Sequence, residues 1–366
     1  MIKAGYRITA GITALLLTVS VLWLTACDSS ESVEPKPTET TAAVTEAAED
    51  IFDMTRYEGD EVFDIRKISL GDELGAFCVS YGFTYLSDGL KIKGYISIPL
   101  SAVRAQKPAK CVLLNRGGNG DYGKLEDKTT AFACSKLNRV VIASQYRGAG
   151  GSEGKDEFGG GDLNDVIKLI DLCDDTFEFI DMDDYCSIGI SRGGMMTYMA
   201  ARIDKRIKRI IAVSAVTDLA ELYGERDDMK IVLYDCIGCT PEENPGEYEK
   251  RSAVCWADEL TLPVMIIHSD EDKQVPCSQA VRLSDMLQER GDCCFIGYSD
   301  DVHGFHEKDY KIIAILLFHC IERRFPENNN LPKGITFALN GCNYARVVPF
   351  KHLACPHPLP KSLIQR

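Results

Sequence analysis

The sequence predicts an α/β protein with a mostly parallel central sheet and helices on both of its faces. Three observations predict it. Short apolar runs alternate with amphipathic stretches along much of the chain. One such run leads directly into Gly189-Ile190-Ser191-Arg192-Gly193. An acidic cluster and then a histidine follow that serine at wide spacing. With 366 residues, 45% of them hydrophobic, the chain can bury a sizeable core in one large or two modest domains. Its formal net charge of −14 argues against nucleic acid or an anionic membrane surface as an electrostatic partner.

The N-terminus reads as a targeting segment. Lys3 and Arg7 form a positive start, and Gly11 to Leu24 is an apolar stretch too short and wrongly flanked for a permanent span. It ends in Leu24-Thr25-Ala26-Cys27, which resembles a bacterial lipobox. That resemblance implies a signal peptide over 1–26 and an exported chain starting at Cys27, whose lipidated thiol holds it to a membrane outside the cytoplasm. An ordinary signal peptide or membrane anchor is the alternative. Residues 28 to about 50 are rich in Glu, Thr, Ala, Pro and Ser, too polar to offset the entropy of ordering, so 27–55 reads as a disordered tether.

The elements of the domain follow. Phe77 to Ser97 alternates in β fashion around Ser87-Asp88-Gly89, predicting a hairpin. Lys110 to Asn115 and Arg139 to Ser144 read as buried strands flanking a helix over Asp127 to Leu137. Gly161-Asp162 opens an amphipathic helix through Leu172, with Leu163, Val166, Leu169 and Ile170 on one face. Cys186 to Ile190 is the strand before Ser191, and Met195 to Arg202 is helix-compatible. Strands over Arg209–Ser214, Pro263–His268 and Cys294–Tyr298 and helices over Ser278–Glu289 and Asp309–Arg323 continue the rhythm. The segment at about 218–260 interrupts it and reads as a cap or lid. The pattern is complete near 325. Residues 326–366 carry five basic residues against Glu327 alone, without periodicity, and read as an appended tail.

Fifteen cysteines are present, fourteen without Cys27. Cys111, Cys186 and Cys294 lie in apolar runs, so buried free thiols acting as small hydrophobes are expected, a disulfide framework being the alternative for an exported chain. Cys236-Ile237-Gly238-Cys239 has redox or zinc spacing but no second pair.

A short strand running through G-x-S-x-G into a helix is the nucleophile elbow of α/β-hydrolases. A serine hydroxyl attacks an acyl carbon only when a base takes its proton and an acid orients that base. Of six histidines, His268 ends a predicted buried strand, His319 lies in an apolar helical stretch, and His352 and His357 are in the tail. His303 and His306 remain, in the loop after the last strand, and His303 precedes Gly304-Phe305. The acid belongs after Val264–His268, where Asp270, Glu271 and Asp272 stand; periodicity does not separate Asp270 from Asp272. The order Ser, Asp, His is the hydrolase order.

Four blocks together resemble the catalytic domain of the prolyl oligopeptidase family of serine peptidases, over roughly residues 75 to 325. Gly189-Ile190-Ser191-Arg192-Gly193-Gly194 is similar to its G-x-S-x-G-G elbow. His268-Ser269-Asp270-Glu271-Asp272, continuing through Val275-Pro276 to Gln279, is similar to its H-G-x-x-D-x-x-V-P-x-x-Q block, which makes Asp272 the matching aspartate. Asp301-Val302-His303-Gly304-Phe305 resembles its histidine block, and Gly238-Cys239-Thr240-Pro241 a G-G-T-P loop with Cys239 at a glycine position. The resemblance implies a triad of Ser191, Asp272 and His303. Where the family places H-G-G-P or a tyrosine variant, this chain has Asn115-Arg116-Gly117-Gly118. The oxyanion hole is therefore expected from Arg116, Gly117 and the N–H of Arg192. Tyr146-Arg147-Gly148-Ala149-Gly150-Gly151-Ser152 resembles a structural loop common to α/β-hydrolases.

Large family members carry an N-terminal propeller that filters substrates. No blade repeats fit between Cys27 and residue 75, so selection is expected from the lid and pocket. The family implies a peptidase acting on short peptides. The missing propeller leaves an esterase for small acyl or carbohydrate esters as the alternative, and an inactive surface binding module as a third. Neither H-E-x-x-H nor a Gly-rich loop followed by Lys-Ser/Thr occurs, so no metal or organic cofactor is implied.

Overall fold

The computed structural model describes residues 52–288, 293–298 and 302–304, and the strands 337–339 and 345–347. Cys27 and the leader, His306 and the expected 309–323 helix lie outside the described residues. The strands are β1 Val62–Lys67, β2 Cys78–Ser87, β3 Leu90–Pro99, β4 Ala109–Asn115, β5 Val140–Ser144, β6 Ile180–Ile190, β7 Arg209–Val213, β8 Val264–Ser269, β9 Cys293–Tyr298, β10 Phe337–Leu339 and β11 Ala345–Val347. The helices are α1 Gly71–Gly75, α2 Leu100–Ala105, α3 Thr129–Leu137, α4 Asp162–Asp175, α5 Arg192–Ile203, α6 Leu219–Glu225, α7 Asp227–Ile237, α8 Pro245–Glu249 and α9 Cys277–Gln288.

One sheet runs in the order β1-β2-β3-β5-β4-β6-β7-β8-β9-β11-β10. It is parallel from β5 to β11, with antiparallel strands at its two ends. The predicted hairpin pairs Ser87 with Leu90 through Asp88 (φ 50°) and Gly89 (φ 77°), the two positive φ angles that match a tight turn to strand twist.

Alternation in the central strands feeds two cores. In β7, Ile210 and Ala212 face the layer that holds α4, α5 and α9, while Ile211 and Val213 face the layer that holds α3. Both faces are covered, which is why these strands read as unbroken apolar runs. Each fully buried Ile or Leu side chain contributes about 1.5–3 kcal/mol relative to exposure.

The structure corrects the sequence at three places. The ordered fold begins before residue 56: Phe52 and Met54 are buried, and Asp53 caps a 3-10 turn by accepting from the Thr55 N–H at 2.9 Å. Residues 52–55, expected in the tether, thus belong to the folded domain. Strand β1 was not expected. The segment at 326–366, expected as an appended tail, supplies β10 and β11, with Arg346 and Val347 of β11 paired in parallel to Phe295 and Ile296. Strands of three residues are too short to leave a readable alternation. The segment at 218–260 is helical, through α6, α7 and α8.

Cys78, Cys111, Cys134, Cys173 and Cys293 are free and buried, and Cys186 and Cys294 are buried. Cys236 and Cys239 are also free thiols, and burial pushes Cys236 up to about 11, away from the reactive thiolate.

Candidate active site

Ser191 stands between β6 and α5 with φ 58° and ψ −125°, a conformation an L-residue occupies only when its surroundings force it. Its N–H donates to Val213 O at 2.9 Å, and its carbonyl accepts from the Gly194 N–H at 2.9 Å. The turn closes because its neighbours lack side chains. A Cβ on Gly189 would lie 2.0 Å from Gly193 O, and one on Gly193 would lie 2.1 Å from Asn115 O. The serine leads straight into α5, whose first N–H groups have no partner one turn back. The Arg192 N–H is the first of these.

Asp272 and His303 meet as expected. His303 Nδ1 donates to Asp272 Oδ2 at 2.8 Å, while Asp272 Oδ1 accepts from the N–H groups of Gln274 (2.8 Å) and Val275 (3.1 Å). Burial raises the Asp272 carboxyl, but the hydrogen bond and charge of His303 and the Val275 N–H outweigh it and hold the group below the usual carboxylate range. Asp270, the other aspartate that periodicity left open, is not the one that His303 meets.

Ser191 and the loop that carries His303 are both tied to the end of β7. Val213 takes the Ser191 N–H, and the next residue, Ser214, accepts the Gly304 N–H through its Oγ at 3.1 Å. Ser214 is itself buried with φ 45°. His303 Nε2 is buried and has no hydrogen-bond partner among the described residues, so no hydrogen bond joins it to Ser191. Such contacts tighten on substrate binding in many hydrolases.

The expected oxyanion residues divide. Gly117 lies against Ser191: a Cβ there would sit 3.3 Å from Ser191 Cβ and 3.0 Å from Ile190 O. Arg116 is a correction. Its guanidinium turns inward and spends its donors on carbonyls, with Nε on Gln145 O (2.9 Å), Nη1 on Gly117 O (3.1 Å) and Tyr122 O (3.2 Å), and Nη2 on Gly120 O (2.8 Å). It braces the loop and does not offer its side chain to an oxyanion. The Arg147 loop is structural, as expected, since its guanidinium is held by buried Asp165 and by Asp88.

Sequence reasoning missed four further contributors. Ser214 holds the base loop. His268, wholly buried, donates from Nε2 to Val275 O at 2.9 Å and stands 3.6 Å from Asp272 Oδ2. Arg226, at the start of the lid, donates from Nη1 to Gln274 O at 2.8 Å, tying the lid two residues from Asp272. The Arg192 side chain is buried beneath the elbow on Asp156 and Asp162. Only His268 carried a signal, being the first residue of the block that contains Asp272.

With this geometry in place, comparison with known proteins is decisive about ancestry. The family model of the prolyl oligopeptidase family matches residues 127–318, more than half of the chain and inclusive of Ser191, Asp272 and His303. The chain belongs to the prolyl oligopeptidase family. This is a serine peptidase family, and its match supports hydrolase activity. The chain is 28% identical over 211 residues to the uncharacterized peptidase YtmA of Bacillus subtilis, covering 57% of this chain and 79% of that one. Among solved structures it resembles Pyrococcus horikoshii acylaminoacyl peptidase (TM-score 0.58, 21% identity), over 69% of this chain but only 43% of that one. It also resembles acetyl xylan esterase 1 from Thermoanaerobacterium (TM-score 0.54, 15% identity), over 77% of this chain and 94% of that one. At these identities the two structures establish the α/β-hydrolase fold and nothing more.

Proposed function

We propose that this family member is a serine hydrolase acting through an acyl-enzyme, a peptidase for short peptides that works at the cell envelope on a lipid anchor at Cys27. The observation that carries the chemistry is the strained Ser191 on a strand end shared with the Asp272–His303 pair. Ser191 Oγ attacks the scissile carbonyl while His303 Nε2 takes its proton. Asp272 fixes the tautomer with Nδ1 protonated and stabilises the imidazolium. The N–H groups of Arg192 and Gly117 receive the developing oxyanion. His303 then gives its proton to the leaving amine, and water enters by the reverse route to release the acid.

The peptidase reading draws on family membership and the YtmA likeness. An esterase acting on small acyl or carbohydrate esters is the second reading. It draws on a fold that spans 94% of an acetyl xylan esterase but under half of an acylaminoacyl peptidase. Hydrolysis of aminoacyl- and prolyl-amides, measured beside short acyl esters with Ser191→Ala as control, decides between them. Amide turnover that vanishes in the mutant is the expected result. Turnover of esters alone would overturn the peptidase assignment and leave the esterase.

A further inference from the structure

The oxyanion loop, residues 116–123, is wound around buried positive charge. The Arg192 side chain is only 1% exposed, yet its Nη1 donates to Asp156 Oδ2 at 2.7 Å and to Gly118 O at 2.9 Å, and its Nη2 pairs with Asp162. Asp156 Oδ2 also accepts the Gly120 N–H at 2.7 Å. Arg116 lies on the Tyr146 ring at 5.2 Å, and Arg192 lies against the same ring at 5.4 Å. Between them the two guanidinium groups take the carbonyls of Gly117, Gly118, Gly120 and Tyr122. In a trans peptide the N–H points opposite the carbonyl, so these four inward carbonyls direct the N–H groups of Gly118, Asn119, Asp121 and Gly123 away from the cations, while the Gly120 N–H itself turns in to Asp156. Tyr146 Oη donates to Arg116 O at 3.4 Å, fixing the peptide that carries the Gly117 N–H.

We propose that the Arg192 side chain is a positioning residue: through Asp156, Asp162 and Gly118 it locks the Gly117 N–H in register with the Arg192 N–H, so that one residue supplies one oxyanion donor and places the other. The proposal rests on the reading of Ser191 as nucleophile. Fold stabilisation alone is the competing role, and it makes a different prediction. A brace that merely holds the fold affects melting but not turnover below the melting temperature. A brace that sets the hole affects the step in which negative charge develops.

The test uses the full chain with p-nitrophenyl acetate as substrate and a fluorophosphonate as covalent probe. Arg192→Lys keeps the charge but loses the fork. Asp156→Asn keeps an oxygen for the Gly120 N–H and so remains informative if Arg192→Lys does not fold. The expected result is a fall in kcat of about 10- to 100-fold with KM within about twofold, the size that misplacing a donor produces. Fluorophosphonate labelling should slow in parallel, and the pH midpoint of kcat should stay unchanged because the His303–Asp272 pair is untouched. Turnover and labelling within about twofold of wild type in the folded variants would overturn the brace, whatever happens to melting. Wild-type turnover that survives Ser191→Ala would instead sink the nucleophile assignment and the brace with it.

Discussion

Ser191 is placed by backbone packed on backbone, whereas His303 is placed by side-chain hydrogen bonds. On the nucleophile side, Gly189 approaches Gly193 O and Gly193 approaches Asn115 O so closely that no side chain fits at either. On the base side, Asp272 Oδ2 takes the imidazole, Ser214 Oγ takes the Gly304 N–H, and two main-chain N–H groups hold Asp272. Close-packed backbone has one arrangement and resists change. A few hydrogen bonds, each worth about 1 kcal/mol net, leave a loop whose position substrate can still adjust. The open His303 Nε2 is on the adjustable side. Substitutions should therefore act on different observables: stability at the elbow, turnover at the acid and base.

The largest effect is expected from Asp272→Asn. The amide can still accept the Gln274 and Val275 N–H groups through its oxygen, but it then presents its NH2, a donor, to His303 Nδ1 and no longer stabilises the imidazolium. A fall in kcat of roughly 10⁴-fold follows, the scale known for a triad left with the wrong tautomer. Melting should move little. Unchanged kcat would remove Asp272 from the chemistry, and unfolding would erase the distinction between the two halves.

Gly189→Ala tests the other half. Its Cβ would meet a main-chain oxygen at 2.0 Å in a turn with nowhere to move, so roughly 3 kcal/mol or more of stability should be lost, read by denaturant unfolding. A variant as stable as wild type would show that the elbow yields, and that Ser191 is no more rigidly placed than His303.

That same contrast explains what the sequence could disclose. Backbone crowding demands glycine, and glycine at fixed spacing around a serine is visible, so the elbow, its strand and its helix were legible. The base was found because six histidines are few enough to sort by predicted environment. Asp272 was separated from Asp270 only by the family pattern, because both lie in one turn after the strand. Ser214 left no trace, since nothing in Val213-Ser214-Ala215 announces a positive φ or a hydrogen bond to residue 304. Arg116 misled for a related reason: its position in the chain matched an oxyanion donor, but its direction was set by carbonyls contributed from residues 117 to 145. Charged side chains are ordinarily exposed, so the burial of Arg192 on Asp156 and Asp162 was equally hidden. Strands β10 and β11 escaped because pairing, not pattern, defines them.

The smallest effect concerns His268, which couples the two halves through β8. Burial pushes its imidazolium down, against the Val275 carbonyl and the Asp272 charge that favour it, with the His303 ring adding to the lowering. The folded chain therefore binds this proton less readily than the unfolded chain, whose histidine titrates near 6.5. Stability from this group is complete above that pH and is lost as pH falls through the folded value. Asp272, also held low, adds a loss of the same sign only in the acid range, below the ordinary carboxylate value. Melting temperature should accordingly fall between pH 7 and pH 5. His268→Gln, which keeps a donor for Val275 O but does not titrate, should flatten that slope while leaving the steeper acid limb in place. An unchanged slope in the glutamine variant would show that His268 does not supply this pH dependence.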